Sequence, residues 1–228
     1  GRVVDRLQRK DTRITEYDIP SKVVEPLING LQFLNEMAGP HRAVRPDNLY
    51  FLDEDMEQIV LGPHVTAPPG FDQPISFEPI ERAMCEPEGR GLGDIRDDIY
   101  ALAVTFIHLI LDNDPVDKVK EDDLIFHRLE TGSYNAIFGN VRLPLAMHGP
   151  IRSMMADDPS ERWDQADVVN WATGEKPSTV KHFPAKKAEV PFRFYKREHL
   201  GLTTLAWHFA QHPHDAVRAL ESNVLVNW

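Results

Sequence analysis

The chain has 228 residues, of which 42% are hydrophobic and 27% are charged, so it is long and apolar enough to bury a core. Lysine and arginine total 25 against 36 aspartates and glutamates, and the net charge of −11 argues against wholesale binding to nucleic acid or an anionic membrane. Cys85 is the only cysteine, which excludes an internal disulfide framework and a thiolate zinc site. The longest apolar run, residues 101–111, is shorter than the ~20 residues of a membrane-spanning helix. Because the sequence begins with Gly1 and shows no signal peptide, we expect a fragment of a longer cytoplasmic protein.

The first half of the sequence predicts a helix followed by a hairpin. Ser21 is a suitable helix cap, and the apolar spacing from Val24 to Ala38 is helical, with a stop at Gly39 and Pro40. Residues 49–52 and 58–61 predict two short strands joined by an acidic turn. Residues 62–92 then contain six prolines and four glycines without helical or alternating spacing, which predicts a long ordered loop.

The second half predicts further helices. Residues 97–111 are apolar nearly all round, as expected of a helix in the middle of a domain. Additional helices are predicted at about 124–131, 143–155 and 164–172, the last ending at Gly174. After a basic and aromatic linker over 175–198, a helical extension is predicted over 199–228. Its two apolar faces are Leu202, Leu205, Ala206 and Phe209, and Ala216, Val217, Ala219 and Leu220.

Five short segments carry the strongest family signal: HRAVRPDNL at 41–49, IVLGPHV at 59–65, EPIE at 78–81, DIYALA at 98–103 and DDPSER at 157–162. The first resembles the catalytic loop of protein kinases, H-R-D-L-x-x-x-N. The others resemble, in the same order, the D-F-G region, the A-P-E motif, the start of the buried central helix and the D-P-x-x-R signature. The order and spacing of all five make residues 20–174 similar to the C-terminal lobe of a protein kinase.

The resemblance implies a mainly α-helical fold with a short β-hairpin next to the catalytic-loop equivalent. It divides the chain into a kinase-like C-lobe at 1–174, the linker and the helical extension. No glycine-rich phosphate loop or V-A-I-K lysine precedes Ser21, so the N-lobe is expected to be missing from this sequence.

The departures from the family pattern fall on the chemistry. Ala43 stands at the position of the catalytic Asp, and Pro63 stands at the position of the metal-binding Asp. A methyl group and a pyrrolidine ring can neither accept a proton nor ligate magnesium. Asn48 is retained, and Arg45 replaces the usual lysine. The degenerate motifs therefore comprise His41, Arg42, Ala43, Arg45 and Asn48 in the loop, and Pro63, His64 and Val65 after the second strand.

We accordingly expect no catalytic residue, no cofactor and no metal. Asp47, the nearest replacement acid, sits at a position that commonly carries an acid in active kinases as well, which argues against a rescue role.

The residues that match are the structural ones. By resemblance, Asp98 would accept hydrogen bonds from the backbone around His41 and Arg42. Glu81 and Arg162 match the ion pair that holds the end of the kinase activation segment to the lobe. Loss of chemistry with retention of scaffold is typical of a pseudokinase.

Two weaker patterns lie in the C-terminal part. His208, His212 and His214 have a spacing that zinc sites use, but Pro213 interrupts the helix, and we interpret them as surface or capping histidines. The linker interleaves basic residues with aromatic ones, a pattern that single-stranded nucleic acid or an acidic protein could use. We interpret it as a linker whose aromatic residues dock on the lobe, without nucleic-acid binding.

The sequence therefore predicts a catalytically inactive pseudokinase-type domain of bacterial type that serves as a protein–protein scaffold or regulator. Two alternatives remain: part of an atypical kinase whose N-lobe lies upstream, or a support for a C-terminal binding module. The protein partner is unknown. A homodimer through the face left by the missing N-lobe, or coverage of that face by the extension, is expected because large apolar patches are rarely bare.

Overall fold

The structure, a computed structural model, describes residues 1–65, 70–111, 114–176, 187–222, 225 and 228. Over these residues the chain is mainly helical, as the sequence predicted, and it contains two small antiparallel sheets. The α-helices are α1 Val3–Gln8, α2 Glu25–Met37, α3 Ile80–Ala83, α4 Ile95–Leu111, α5 Glu121–Thr131, α6 Ser133–Phe138, α7 Leu145–Met154, α8 Gln165–Ala172, α9 Leu202–Gln211 and α10 Pro213–Glu221. The strands are β1 Leu49–Phe51, β2 Ile59–Leu61, β3 Phe192–Phe194 and β4 Arg197–His199.

Helix α4 forms the centre of the main core. It packs against α2, α7 and α8, and its side chains from Asp97 to Ile107 are all buried. Thr105, the polar residue in the middle of this run, donates its hydroxyl proton to the carbonyl oxygen of Ala101 at 2.8 Å and so needs no external partner. The prediction of a central buried helix is confirmed.

The predicted hairpin is also confirmed. Strands β1 and β2 pair antiparallel, with Leu49 opposite Leu61 and Phe51 opposite Ile59. The N-terminal residues, for which the sequence predicted no element, cover this hairpin: the carbonyl of Gly1 accepts the N–H of Phe51 at 2.9 Å, and α1 packs against β1.

The start of the long N-terminal helix differs from the prediction. A π-helical turn at Ile19–Val24 precedes α2, and Ser21 is an exposed residue inside that turn, so it caps no helix. The polar side-chain contact lies before this turn, where the Asp18 carboxylate accepts hydrogen bonds from the N–H and the hydroxyl of Thr15. Ile19, Val23 and Val24 of the π-helical turn are buried. The helical segment therefore begins upstream of Ser21, the cap that the sequence predicted.

The proline-rich stretch contains short helical turns that the sequence did not predict. Two 3₁₀ turns, Ile75–Phe77 and Pro87–Gly89, flank α3, and a proline stands at the entry of each of the three elements. Proline suits the first position of a helix because its missing N–H would have no partner there. Elements of three or four residues are too short to show a period in the sequence. Pro68 and Pro69 lie outside the described residues.

The predicted linker is wrong over its second half. Strands β3 and β4 form a second hairpin with Phe192 opposite His199, and Tyr195 at its turn has a φ of 52°. The aromatic residues Phe192 and Phe194 are buried in a small C-terminal core together with Leu205 of α9 and Ala216 of α10. The basic residues Lys181 and Lys186 lie outside the described residues.

This C-terminal unit is fixed on α5. The Arg197 guanidinium lies 4.6 Å from the centre of the Phe126 ring and forms an ion pair with Asp123. Helix α9 packs against the same helix, which turns Thr204, Leu205 and His208 inward and leaves Leu202 and Ala206 exposed. The predicted apolar face of α9 is therefore rotated, because the helix packs through a hydrogen-bonded histidine.

That histidine belongs to a buried pair. His199 is fully buried and His208 is 8% exposed, and their Nε2 and Nδ1 atoms lie 3.0 Å apart. The interpretation of His208 as a surface or capping residue is wrong, whereas His214 is exposed. Burial, followed by the charges of His208 and Arg197, lowers the pKa of His199 to about 4. Burial, followed by His212 and Arg197, lowers the pKa of His208 as well.

The histidine pair makes stability depend on pH. Below pH about 6.5 the unfolded chain binds a proton at His199 that the folded chain, with its pKa of about 4, does not bind. The contribution of His199 to stability is therefore expected to fall by roughly 3 kcal/mol as the pH drops from about 6.5 to about 4. Asp98, whose pKa burial raises to about 7, changes stability in the opposite direction over the same range, so thermal unfolding of variants is compared with that of the parent chain, and the His214→Gln control should follow the parent. In His199→Gln, stability relative to the parent chain should rise as the pH falls through this range, and a constant difference would contradict this assignment.

Candidate functional site

The loop between α2 and β1 is anchored by α4. The Asp98 carboxylate accepts the backbone N–H of His41 and that of Arg42, each at 2.7 Å. Burial raises the pKa of this carboxyl to about 7, and the two N–H groups act in the opposite direction. Arg42 itself has a φ of 57°, a left-handed conformation that the two hydrogen bonds help to hold.

A buried network of charges continues from Arg42. Its Nη2 lies 2.6 Å from Glu78 Oε2, and both side chains are almost completely buried. Asp97 of α4 lies 3.6 Å from Arg42 Nη1. Burial raises the pKa of Glu78, although Arg42 and Arg90 oppose that change. The loop is thus tied by opposite charges to the stretch that precedes α3.

Gly93 shows how closely this network is packed. It has a φ of +76°, and a Cβ atom there would stand 2.2 Å from Arg42 Nη1 and 2.3 Å from the Asp97 carboxylate. Any side chain would displace the two charged groups, so the position requires glycine.

A second ion pair holds the end of the same stretch. Arg162 donates from Nη2 to both oxygens of Glu81, at 2.9 and 3.2 Å, and from Nε to the carbonyl of Ala156 at 2.9 Å. Its Nη1 lies 3.6 Å from Asp97. The structure therefore brings together the two residues that the resemblance paired, and it links them through Asp97 to Arg42.

Arg128 of α5 is a structural residue that the sequence did not single out. It is 1% exposed and donates to the carbonyl oxygens of Ile75 and Glu78 at 2.7 and 2.8 Å, and to the Tyr100 hydroxyl at 2.9 Å. These hydrogen bonds fix the backbone of residues 75–78 on α5. No motif in the sequence marks it, because an arginine in an otherwise amphipathic helix is usually solvated.

Ala43 and Asn48, two loop residues that the resemblance singled out, are both buried. Ala43 is 2% exposed, and Asn48 is equally buried. Asn48 donates from Nδ2 to the carbonyls of Ala43 and His64, at 3.0 and 3.2 Å, and its Oδ1 accepts the N–H of His64 at 3.2 Å. Both ends of the amide thus bind backbone, and they join the loop to the residues after β2. Gly62 permits this approach, since a Cβ there would stand 2.5 Å from Asn48 Oδ1.

Asp72 is the carboxylate that the sequence did not single out at this site. Its Oδ2 lies 3.1 Å from His64 Nε2, and its carbonyl accepts from Arg45 Nη1 at 2.8 Å. Asp47, the replacement acid considered from the sequence, is largely exposed and lies 2.9 Å from Arg45 Nε. Asp72 could not be found from sequence because it stands 27 residues from Arg45 within the proline-rich stretch.

Chemically, the arrangement is rich in buried, mutually neutralising charges and poor in free carboxylates. Pro63 and Val65 are exposed and offer no ligand oxygen from their side chains. Burial lowers the pKa of His41, so this imidazole is neutral at physiological pH. Across the part of the chain that the structure describes, no three His, Cys, Asp or Glu side chains are grouped so that they could hold a metal ion.

Comparisons with known proteins identify no relative: no protein-family model matches the chain, and no curated protein matches it. None of the helices in the described residues has the length and apolar character needed to cross a membrane.

The anchoring role of Asp98 predicts a large cost for Asp98→Asn. The amide would direct its NH₂ group at one of the two backbone N–H donors, so unfolding free energy should fall by about 2–4 kcal/mol. Asp55→Asn, an exposed change on the hairpin turn, should alter it by less than about 0.5 kcal/mol. Chemical denaturation of both variants measures the difference. Equal stabilities would contradict the anchoring role.

The two ion pairs should differ in energetic importance. Glu78→Gln removes the nearest carboxylate of two buried guanidiniums, leaving Arg42 with Asp97 at 3.6 Å and Arg90 with backbone carbonyls, and should cost about 3–5 kcal/mol. Glu81→Gln removes a partly exposed partner and should cost about 1 kcal/mol. Denaturant titration of the two variants tests this order, which would be refuted if Glu81→Gln proved the more damaging.

Proposed function

We propose that the chain is a protein-kinase-like C-terminal lobe that has lost phosphoryl-transfer chemistry and serves as a protein–protein scaffold or regulator. The five segments that resemble kinase motifs support the family. The contacts of Asp98 with the loop backbone and of Glu81 with Arg162 support it further, because these are the contacts that the resemblance implies for those residues.

The observation that carries the loss of activity is the state of the loop itself. Phosphoryl transfer needs a carboxylate to orient the acceptor hydroxyl and oxygen ligands to hold magnesium. Ala43 fills the first position with a buried methyl group, and Asn48 uses both ends of its amide for backbone hydrogen bonds. Pro63 offers neither a carboxylate nor a backbone donor. A loop held this tightly, in which the one acid, Asp47, is paired with Arg45, suits recognition better than catalysis.

A second candidate is favoured by one observation. Asp72 places its carboxylate against His64, the residue after Pro63, and its backbone carbonyl accepts a hydrogen bond from Arg45 of the loop. In an atypical kinase with its N-lobe upstream, this pair would take the place of a missing acid. Asp72→Asn is therefore the variant that distinguishes the scaffold function from the atypical kinase.

The test is a phosphotransfer assay with radiolabelled ATP, Mg²⁺ or Mn²⁺ and a generic protein acceptor, run on this chain and on a longer parent protein that carries it, because the atypical kinase needs its upstream N-lobe. The scaffold function predicts no incorporation above that of a heat-denatured sample, and no difference between the parent chain, Asp72→Asn and the exposed control Asp55→Asn. Incorporation that is lost in Asp72→Asn and kept in Asp55→Asn would overturn the proposal in favour of the atypical kinase.

A further inference from the structure

A cavity of about 520 Å³ lies away from the degenerate loop, where the C-terminal extension meets the lobe. Its walls come from residues 71–75, residues 83–90, the first residues of α5 and the helix α9. It thus exists only because α9 docks on α5, and it is open to solvent at one side, where Phe71 and Met84 are about two-fifths exposed.

The rim of this cavity is negatively charged. Glu86, Glu121 and Asp122 line it, all three are exposed, and none has an ion-pair partner among the residues that the structure describes. Glu121 and Asp122 stand in the first turn of α5. The lining arginine, Arg90, is buried and already engaged by the carbonyls of Gly70 and Gln73, each at 2.8 Å. The unpaired charge facing the cavity is therefore acidic.

The walls combine this charge with apolar surface. Trp207 of α9 lies half-buried in one wall, while Phe71 and Met84 form part of the others. Such a lining suits a side chain that has an apolar stem and a charged head. An indole beside carboxylates also favours a guanidinium, which stacks on aromatic faces while it donates hydrogen bonds.

A buried hydrogen-bond acceptor in the cavity wall also favours a ligand that carries a donor group. Gln73 lines the cavity and is 4% exposed; its Nε2 donates to the carbonyl of Val44 at 3.0 Å, but its Oε1 has no partner among the residues that the structure describes. A buried acceptor without a donor is uncommon and costs free energy. An incoming donor group would relieve that cost, and a carboxylate or phosphate would not.

We propose that this cavity is a binding site for an arginine side chain presented by a peptide segment of a partner protein. The carboxylates of Glu86, Glu121 and Asp122 receive the guanidinium, and Trp207, Phe71 and Met84 receive its stem. Asp72 and Gln73 of the cavity wall contact the loop, but the residues proposed to bind the arginine lie outside it, so this inference does not depend on the proposed loss of phosphotransfer.

The test measures binding of a fluorescein-labelled peptide with two arginines, flanked by glycine and serine, to the full chain by fluorescence anisotropy. We expect a dissociation constant of about 10–100 μM that weakens as salt is added. The double variant Glu121→Gln/Asp122→Asn should weaken binding about tenfold. The matched control Glu54→Gln/Asp55→Asn removes the same charge from the exposed hairpin turn and should change it by less than about twofold.

Cys85 provides a second, independent readout, because it lines the cavity, is exposed and is the only cysteine. The arginine peptide should slow the alkylation of Cys85 by a maleimide, and a peptide with citrulline in place of arginine should not. Trp207→Phe should keep the fold and lose the peptide-induced change in tryptophan emission, whereas Trp228→Phe should retain it.

Four results would overturn the proposal. They are no binding below about 1 mM, equal weakening in the two double variants, unprotected Cys85 at saturating peptide, and displacement of the peptide by free spermidine as effectively as by unlabelled peptide. The last result would assign the cavity to a polyamine instead of a peptide.

Discussion

The carboxylate of Asp98 is the contact on which the loop depends. It lies in the first turn of the central helix and binds two consecutive backbone N–H groups of a loop that is 56 and 57 residues away in sequence. A buried acid in this position is tolerated only because both of its oxygens are satisfied. It fixes the backbone at Arg42, and this places the guanidinium of Arg42 between Glu78 and Asp97.

From there the charges form one connected set. Asp97 is close to Arg42, Arg82 and Arg162, while Arg162 reaches Glu81 and Arg128 supports the backbone at Glu78. Each cation is neutralised or bound to carbonyl oxygens, so removal of a fully buried carboxylate leaves buried cations with fewer partners. The set holds residues 70–97 in shape although this stretch contains only short helical turns. Residues 71–75 and 83–90 of this stretch line the acidic cavity, so the loop and the cavity share the same support.

Much of the fold and part of the site could be predicted from the sequence. The buried helix α4 follows from its sequence because a helix that is apolar on all sides must lie inside a domain. The hairpin β1–β2 follows because a short acidic turn joins two neighbouring apolar strands. The pairing of Asp98 with the loop and of Glu81 with Arg162 followed from the resemblance. Asp72, Arg128 and the pair His199–His208 could not be found, since each acquires its role through a contact between distant segments. The second hairpin was missed because its basic, aromatic composition also suits a solvated linker.

The sequence by itself determined that positions 43 and 63 carry no carboxylate, because Ala43 and Pro63 lack one in any fold. It also determined the helical character of the chain, because the period of the apolar residues is a local property. Only the tertiary structure decided that α9 docks on α5, that His208 is buried and that three acidic residues and an indole line one cavity. Docking depends on the sum of many weak contacts between surfaces far apart in the chain, and no single stretch of residues encodes that sum.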